Sequence, residues 1–305
     1  MIKNPPPWPN GARCAVSITF DEDADSILHL AHHASAHNRV AAISMLRYGP
    51  EIGTPRIVEM YRRFGIRQTF FVPAWCIERY PQTVETILRD GHEIAHHGYL
   101  HEHPNGLPEE EQLYWLRRAS EVIKRVTGKH PRGIRAPTYK FSAAMLDHLV
   151  ADGFDYDASL MGDEIPYLLT NGRGSVVELP THYAVDDWPH YMASRDFSYI
   201  MPVKAPSQAM ECFRAEFDAA WEYGALFVPV WHPFLSGRLA RCHAIAEFIE
   251  YMLKKGNVWF APMEEIAAHV RHLVATKAWE PRVDHLPHYS GPIPELGDVE
   301  PSVAH

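Results

Sequence analysis

Short unbroken apolar runs alternate with amphipathic stretches along this chain. Ala15 to Phe20 (AVSITF) reads as a buried strand, and further strands are predicted at 68–72 (QTFFV), 91–96, 133–135, 156–158, 176–179, 226–230 and 258–260. Between them the apolar spacing turns helical. Ile57, Met60, Tyr61 and Phe64 predict a helix over 54–64, with Thr54 as its cap and Pro55 at its first position. Val84, Ile87 and Leu88 mark a short helix. A long one over 108–127 is opened by Pro108 and an acidic first turn and closed by Gly128. Others follow at 142–152, at 208–222, around Ile245, Phe248, Ile249 and Met252, and at 263–275. Near-continuous apolar strands separated by helices imply a parallel sheet with helices outside it. Seven or eight such units favour a (β/α) barrel over an open sheet, and no G-x-G-x-x-G follows the first strand. Segment 181–206 has no period and many aromatics, the pattern of a long functional loop. The tail from about 279 is proline-rich and aperiodic, and is expected to wrap over the domain or a neighbouring subunit.

Composition narrows the function classes. At 305 residues and 46% hydrophobic, the chain can bury a large core without disulfides or metal. Lys and Arg number 29 against 38 Asp and Glu, so the formal charge of −9 argues against general nucleic-acid or anionic-membrane binding. No apolar run approaches the ~20 residues of a membrane span. The N-terminus lacks the apolar core of a signal peptide, and Cys14, Cys76, Cys212 and Cys242 are scattered with no C-x-x-C pair. Both features lead us to expect a cytoplasmic protein with reduced thiols. Histidine, at 20 residues, is abundant and clustered, which makes metal binding a hypothesis to test by spacing.

Strand one ends Thr19-Phe20-Asp21-Glu22-Asp23. In extended chain, residues two apart face one side, so Asp21 and Asp23 can share a pocket while Glu22 faces away. The alternative is that both are turn formers. Strand three runs into His96-His97-Gly98-Tyr99-Leu100-His101. Two imidazoles at His97 and His101, with one carboxylate, make a metal-binding face that leaves positions open to water and substrate. His92, His96 and His103 nearby read as surface or supporting groups. A second ladder, His29, His33 and His37, falls at i, i+4, i+8 but has no matching carboxylate, and is expected to be a solvated or pocket-rim helix.

Gly91 to His101 resembles the metal-binding second motif of the polysaccharide deacetylase (NodB-homology, carbohydrate esterase family 4) superfamily. Thr19 to Asp23 is similar to its first motif, usually TFDDG, Ile134-Arg135-Ala136-Pro137 to its third, Tyr156-Asp157-Ala158-Ser159 more weakly to its fourth, and Val230-Trp231-His232-Pro233 to its fifth. The second carboxylate stands one position later than in TFDDG, Gly98 replaces a Ser or Thr, and no Trp closes the fourth motif. With Arg47 to Pro50, Leu160 to Asp163 and His232 to Arg238, these variants look like a subgroup of peptidoglycan-deacetylase-like proteins, cofactor-independent allantoinases and cyclic imide hydrolases. The resemblance implies an α/β fold, a distorted seven-stranded barrel, and often a homotetramer. The expected organisation is a single catalytic domain over 1–305: an arm (1–12), a barrel core (13–275) and a tail (276–305).

Amide hydrolysis needs an activated water, stabilisation of the oxyanion and a proton for the leaving nitrogen. On this reading Asp23, His97 and His101 hold one divalent metal, zinc by default, with cobalt, nickel or manganese as alternatives. Asp21 is the expected general base, paired with Arg135, whose alternative is a structural salt bridge. His232 is the expected general acid, with Asp157 on its other ring nitrogen; its alternative is a buried structural histidine. Tyr48, Glu51, Trp75, Tyr167 and Trp188 are candidate substrate contacts, and Asp186 and Asp187 are read as loop-ordering groups. The leading function is hydrolysis of a small cyclic amide, imide or ureide. The alternatives are N-deacetylation of peptidoglycan or another N-acetylated sugar, and a non-catalytic binding barrel.

Overall fold

The computed structural model describes residues 1–289 and 291. Seven parallel strands stand side by side in the order Val230–Trp231, Thr19–Asp21, Thr69–Val72, Glu93–His96, Gly133–Ile134, Tyr156–Asp157 and Ser175–Glu178. A parallel bridge from Asp186 to Val230 spans the gap between the last strand and the first. The result is a distorted α/β barrel whose strands all present their C-terminal ends at one mouth.

Two predicted strands are each broken in two. The 15–20 run becomes Cys14–Val16 and Thr19–Asp21, and 226–230 becomes Leu226–Phe227 and Val230–Trp231. Their first halves pair with each other and with Val258–Phe260 in a separate three-stranded sheet. Pro229 explains the break, because it has no N–H for the ladder. Side chains fill the gap: Ile18 N donates to Gln68 Oε1 at 2.5 Å, and Thr19 Oγ1 donates to Pro229 O at 2.7 Å.

The predicted helices appear as Thr54–Phe64, Pro81–Arg89, Glu109–Thr127, Ala143–Asp152, Pro206–Tyr223, Leu239–Lys255 and Met263–Ala275. Each lays an apolar stripe on the sheet; Ile57, Val58, Met60 and Tyr61 are buried on the first. The helices Val40–Tyr48, Ala74–Arg79 and the four-residue Pro233–Ser236 were not predicted, and the helix expected across His29, His33 and His37 is cut short as Ser26–Ala31. Nor was the strand Tyr167–Thr170, which runs antiparallel to Ser175–Glu178 and carries Val283–His285 on its outer edge. Its turn contains Asn171-Gly172, a hairpin signal that the sequence does display.

The predicted loop at 181–206 contains a helical turn, Trp188–Tyr191, and a small hairpin of Ala193–Ser194 with Tyr199–Ile200. Asp196 between those strands takes Arg39 and, through its carbonyl, His32, which ties the hairpin to the segment after strand one. The arm and the first part of the tail meet each other, Trp279 Nε1 donating to Asn4 O and Asn4 Nδ2 to Glu280 O, while Trp8 Nε1 ties the arm to Gly224 O at the end of a helix. The expected tail reaches 305, and its positions 290 and 292–305 lie outside the described residues. Among the described residues no helix is long and apolar enough to cross a membrane.

Candidate active site

The mouth of the barrel gathers acids and imidazoles from four segments and a guanidinium from a fifth. Asp21 ends its strand, and Asp23 follows two residues later. Both are buried, and both line one cavity, as alternation along an extended chain requires. Glu22 points the other way, to Thr54, and burial pushes its carboxyl up to about 8.

His97 and His101 do not sit on a helix. The segment after Glu93–His96 is a tight loop wound around Glu102, whose carboxylate accepts from Tyr99 N at 2.9 Å and from Leu100 N at 2.8 Å. Gly98 sits there at φ +74, and a Cβ at that position would meet Glu102 Oε1 at 3.0 Å. His101 itself takes φ +69. This loop brings the two rings to 4.9 Å between centroids.

Asp23 lies between them. His97 Nε2 is 3.3 Å from Asp23 Oδ1, and His101 Nε2 is 3.6 Å from Asp23 Oδ2. One donor atom from each of the three residues falls within 4.8 Å of the others. Burial disfavours the Asp23 charge, but His101, His97 and His232 outweigh it and hold the carboxyl well below the usual carboxylate range. Burial pushes His101 down to about 4, whereas Asp21 and Asp23 more than offset burial at His97 and raise it.

Arg135 is fully buried and reaches into the barrel. Its Nη1 donates to Asp21 Oδ1 at 2.6 Å and to Thr19 Oγ1 at 2.9 Å, its Nε to Ala158 O at 3.0 Å, and its guanidinium lies 4.0 Å above the Phe71 ring. The arginine is thereby clamped against one oxygen of Asp21, leaving the other 3.6 Å from His97 Nε2.

His232 follows the strand that lies beside Thr19–Asp21, and its Nε2 is 3.6 Å from Asp23 Oδ2. Its other nitrogen corrects one expectation. Nδ1 meets Asp187 Oδ1 at 2.6 Å, not Asp157. Asp187, fully buried, also accepts from His232 N at 3.0 Å and from the Ser236 hydroxyl. Burial opposes the imidazolium, but Asp187 outweighs it and lifts His232 to about 10. Asp157 instead accepts from Ser159 N and Oγ beside Glu178, and burial raises both carboxyls. Sequence alone could not choose between two aspartates each distant from His232.

The cavity above these groups holds about 340 Å³. Its walls are Thr138, Tyr139, Tyr183, Trp188, Pro189 and Tyr199, with Asp186 among them. Of the five expected substrate contacts only Trp188 lines it. Tyr48 is gripped by Arg56 at 2.6 Å and stacked under Arg238. Glu51 pairs with Arg47 on the surface, Trp75 packs on His29 with centroids 5.0 Å apart, and Tyr167 is buried beneath Arg282. Asp186 and Asp187 are therefore more than loop-ordering groups. The signal for them was an Asp-Asp-Trp-Pro run inside an aperiodic aromatic loop.

Nearby histidines have structural partners. His92 Nδ1 accepts from Gln68 N, and its ring packs on Tyr61 and Phe70. His96 accepts from Gly98 N, bracing the metal-like loop, and His103 meets Lys140. The His29, His33, His37 ladder is broken, because the helix Ser26–Ala31 ends before His33.

The family model for polysaccharide deacetylase matches residues 13–156. The peptidoglycan deacetylase of Helicobacter pylori is 27% identical over 280 residues, which span 83% of this chain and 95% of that one. A crystal structure from Mycobacterium smegmatis, assigned as a polysaccharide deacetylase, is 40% identical and superposes with a TM-score of 0.87 over 97% of this chain and 99% of its own. The allantoinase PuuE shares the fold, with a TM-score of 0.77 at 24% identity over 91% and 96% of the two chains.

Proposed function

The chain belongs to the polysaccharide deacetylase family, hydrolases of carbon–nitrogen bonds, and within it we propose a metal-dependent hydrolase of a small cyclic amide, imide or ureide. The observation that carries the choice of substrate is the cavity. At about 340 Å³ and walled by Tyr139, Tyr183, Trp188 and Tyr199, it suits one flat ring between aromatic faces. A polymer would need a trench.

Asp23, His97 and His101 fit a divalent cation. Asp23 Oδ1 is buried without a hydrogen-bond partner, an expense that a cation would relieve. His97 Nδ1 lies 2.7 Å from Arg135 O, which only accepts, so the proton of the neutral ring sits on Nδ1 and the lone pair of Nε2 faces Asp23. Two imidazoles and a carboxylate suit zinc first, with cobalt, nickel or manganese as the other candidates. Bound there, the cation would supply Lewis acidity toward the carbonyl and toward water.

The chain's own residues supply the rest. Asp21, oriented by Arg135, takes the proton from the attacking water. His232, protonated near neutrality through Asp187, gives a proton to the leaving nitrogen. The aromatic walls hold the ring and exclude bulk water.

A second reading, N-deacetylation of an N-acetylated sugar polymer, is favoured by the name of the Helicobacter pylori relative. Turnover of phthalimide, dihydrouracil and allantoin is measured beside N-acetylglucosamine oligomers, with and without chelator. Chelator-sensitive hydrolysis of a cyclic substrate is expected. Consumption of the oligomers alone overturns the small-ring reading, and no turnover of any leaves a non-catalytic barrel.

A further inference from the structure

One acid in the cavity is unused by the chemistry above. Asp21 is committed to Arg135, Asp23 to three imidazoles, and Asp187 to His232 and Ser236. Asp186 lines the same cavity, is 4% exposed, and has no cationic partner among the described residues. Its neighbour His232 is paired instead with Asp187 and Asp23. Nevertheless one Asp186 oxygen falls within 4.8 Å of both a ring nitrogen of His232 and an oxygen of Asp187.

The carboxylate of Asp186 is held in place by two neutral donors. Tyr139 Oη donates to its Oδ2 at 2.5 Å, and Trp188 N donates to its Oδ1 at 2.7 Å. A carboxylate offers about four acceptor positions, so two remain. Tyr139 reaches it from a costly backbone: Thr138 and Tyr139 take φ +53 and +60 in succession, a left-handed conformation that non-glycine residues rarely adopt. Both residues line the cavity. Above the floor formed by Asp21, Asp23, His97, His101, Arg135 and His232, the wall is otherwise aromatic or apolar apart from Thr138, so an acceptor there gains most from a ligand that brings a hydrogen-bond donor.

We propose that Asp186, aimed by Tyr139, is the specificity-determining residue of this site: it accepts the N–H of the scissile bond, and the substrates are cyclic amides or imides whose ring nitrogen carries a hydrogen. This rests on the small-ring reading and narrows it. In hydrolysis the oxygen of water bonds to the carbonyl carbon, the C–N bond breaks, and the nitrogen leaves with its own hydrogen and one more proton from His232. A hydrogen bond from that N–H to Asp186 turns the nitrogen lone pair toward His232. An N-alkyl ring has no hydrogen to give and leaves the buried carboxylate short of a partner.

The test compares phthalimide with N-methylphthalimide on the metal-loaded protein, in wild type and in Asp186→Asn. The readout is the ratio of the two kcat/KM values, which cancels any loss of folded protein. Asn keeps the size of the side chain but cannot accept from both Tyr139 and Trp188. Wild type is expected to favour phthalimide by about 10–100-fold, the worth of one hydrogen bond to a charged group, and the variant to bring the ratio close to one. Equal turnover of the two rings by wild type, or an unchanged ratio in the variant, overturns the proposal and leaves the small-ring reading standing. Turnover of neither ring, nor of dihydrouracil or allantoin, overturns both. Should the variant fail to fold, Tyr139→Phe removes the hydroxyl that aims the carboxylate; a lowered ratio supports the proposal, and an unchanged ratio overturns it.

Discussion

Replacing Asp187 with Asn removes one buried negative charge and keeps the shape of the side chain. Asp187 accepts from His232 Nδ1 at 2.6 Å and leads the groups that lift His232 from 6.5 to about 10 against the effect of burial. At 1.36 kcal/mol per pKa unit this favours the imidazolium by something on the order of 5 kcal/mol. The proposed acid must carry its proton, so activity is lost as pH rises through the pKa of His232. Wild type should therefore keep its alkaline limb well above the ordinary histidine range. Without the carboxylate, burial acts with less opposition. If His232 falls only to its ordinary 6.5, about 3% remains protonated at pH 8, a loss of roughly 30-fold in rate. The assay is kcat against pH from 5 to 10.5 with a hydrolysed ring substrate, beside metal content and circular dichroism to show that fold and cation survive. An acidic shift of the falling limb is expected. A limb that stays in place, with kcat merely scaled down, refutes the assignment of His232 as an acid sustained by Asp187.

Other perturbations separate the remaining roles. His97→Ala should strip metal and activity together, as read by elemental analysis and turnover. Asp21→Asn should keep its metal and lose about 10²–10⁴-fold in kcat; loss of metal in that variant would show that the two carboxylates have been assigned the wrong way round. Arg135→Met leaves Asp21 buried without its cation and should cost about 3–5 kcal/mol in denaturant unfolding. A change below 1 kcal/mol would mean that the pair is not coupled to the fold.

The parts legible in the sequence were those set by local spacing. Apolar runs and helical periods placed the strands and the seven helices that cover them, because burying one face is a demand that each segment meets alone. Asp21 and Asp23 were readable as a pair because extended chain repeats every two residues, and the family motifs pointed to His97, His101, Arg135 and His232. Where local signals were weak, elements went unseen: Ala74–Arg79 and Pro233–Ser236 are short helices of six and four residues, too brief for a periodic pattern to emerge. Pro229 was visible, but its effect on the Cys14–Val16 and Thr19–Asp21 strands depended on a neighbour more than 200 residues away.

Tertiary structure alone decided who stands next to whom. His232 took Asp187 rather than Asp157 because the bridge from Asp186 to Val230 sets the 186–188 segment beside the strand that ends in His232. Tyr48, Trp75 and Tyr167 have the same chemistry as Tyr139, Tyr183 and Tyr199, yet only the latter three face the cavity, since an aromatic side chain buries equally well in a core or in a pocket. Distance along the chain carries no information about such choices. They depend on barrel closure, which brings segments separated by dozens of residues to one mouth and lets charge, hydrogen bonding and excluded water select the partners.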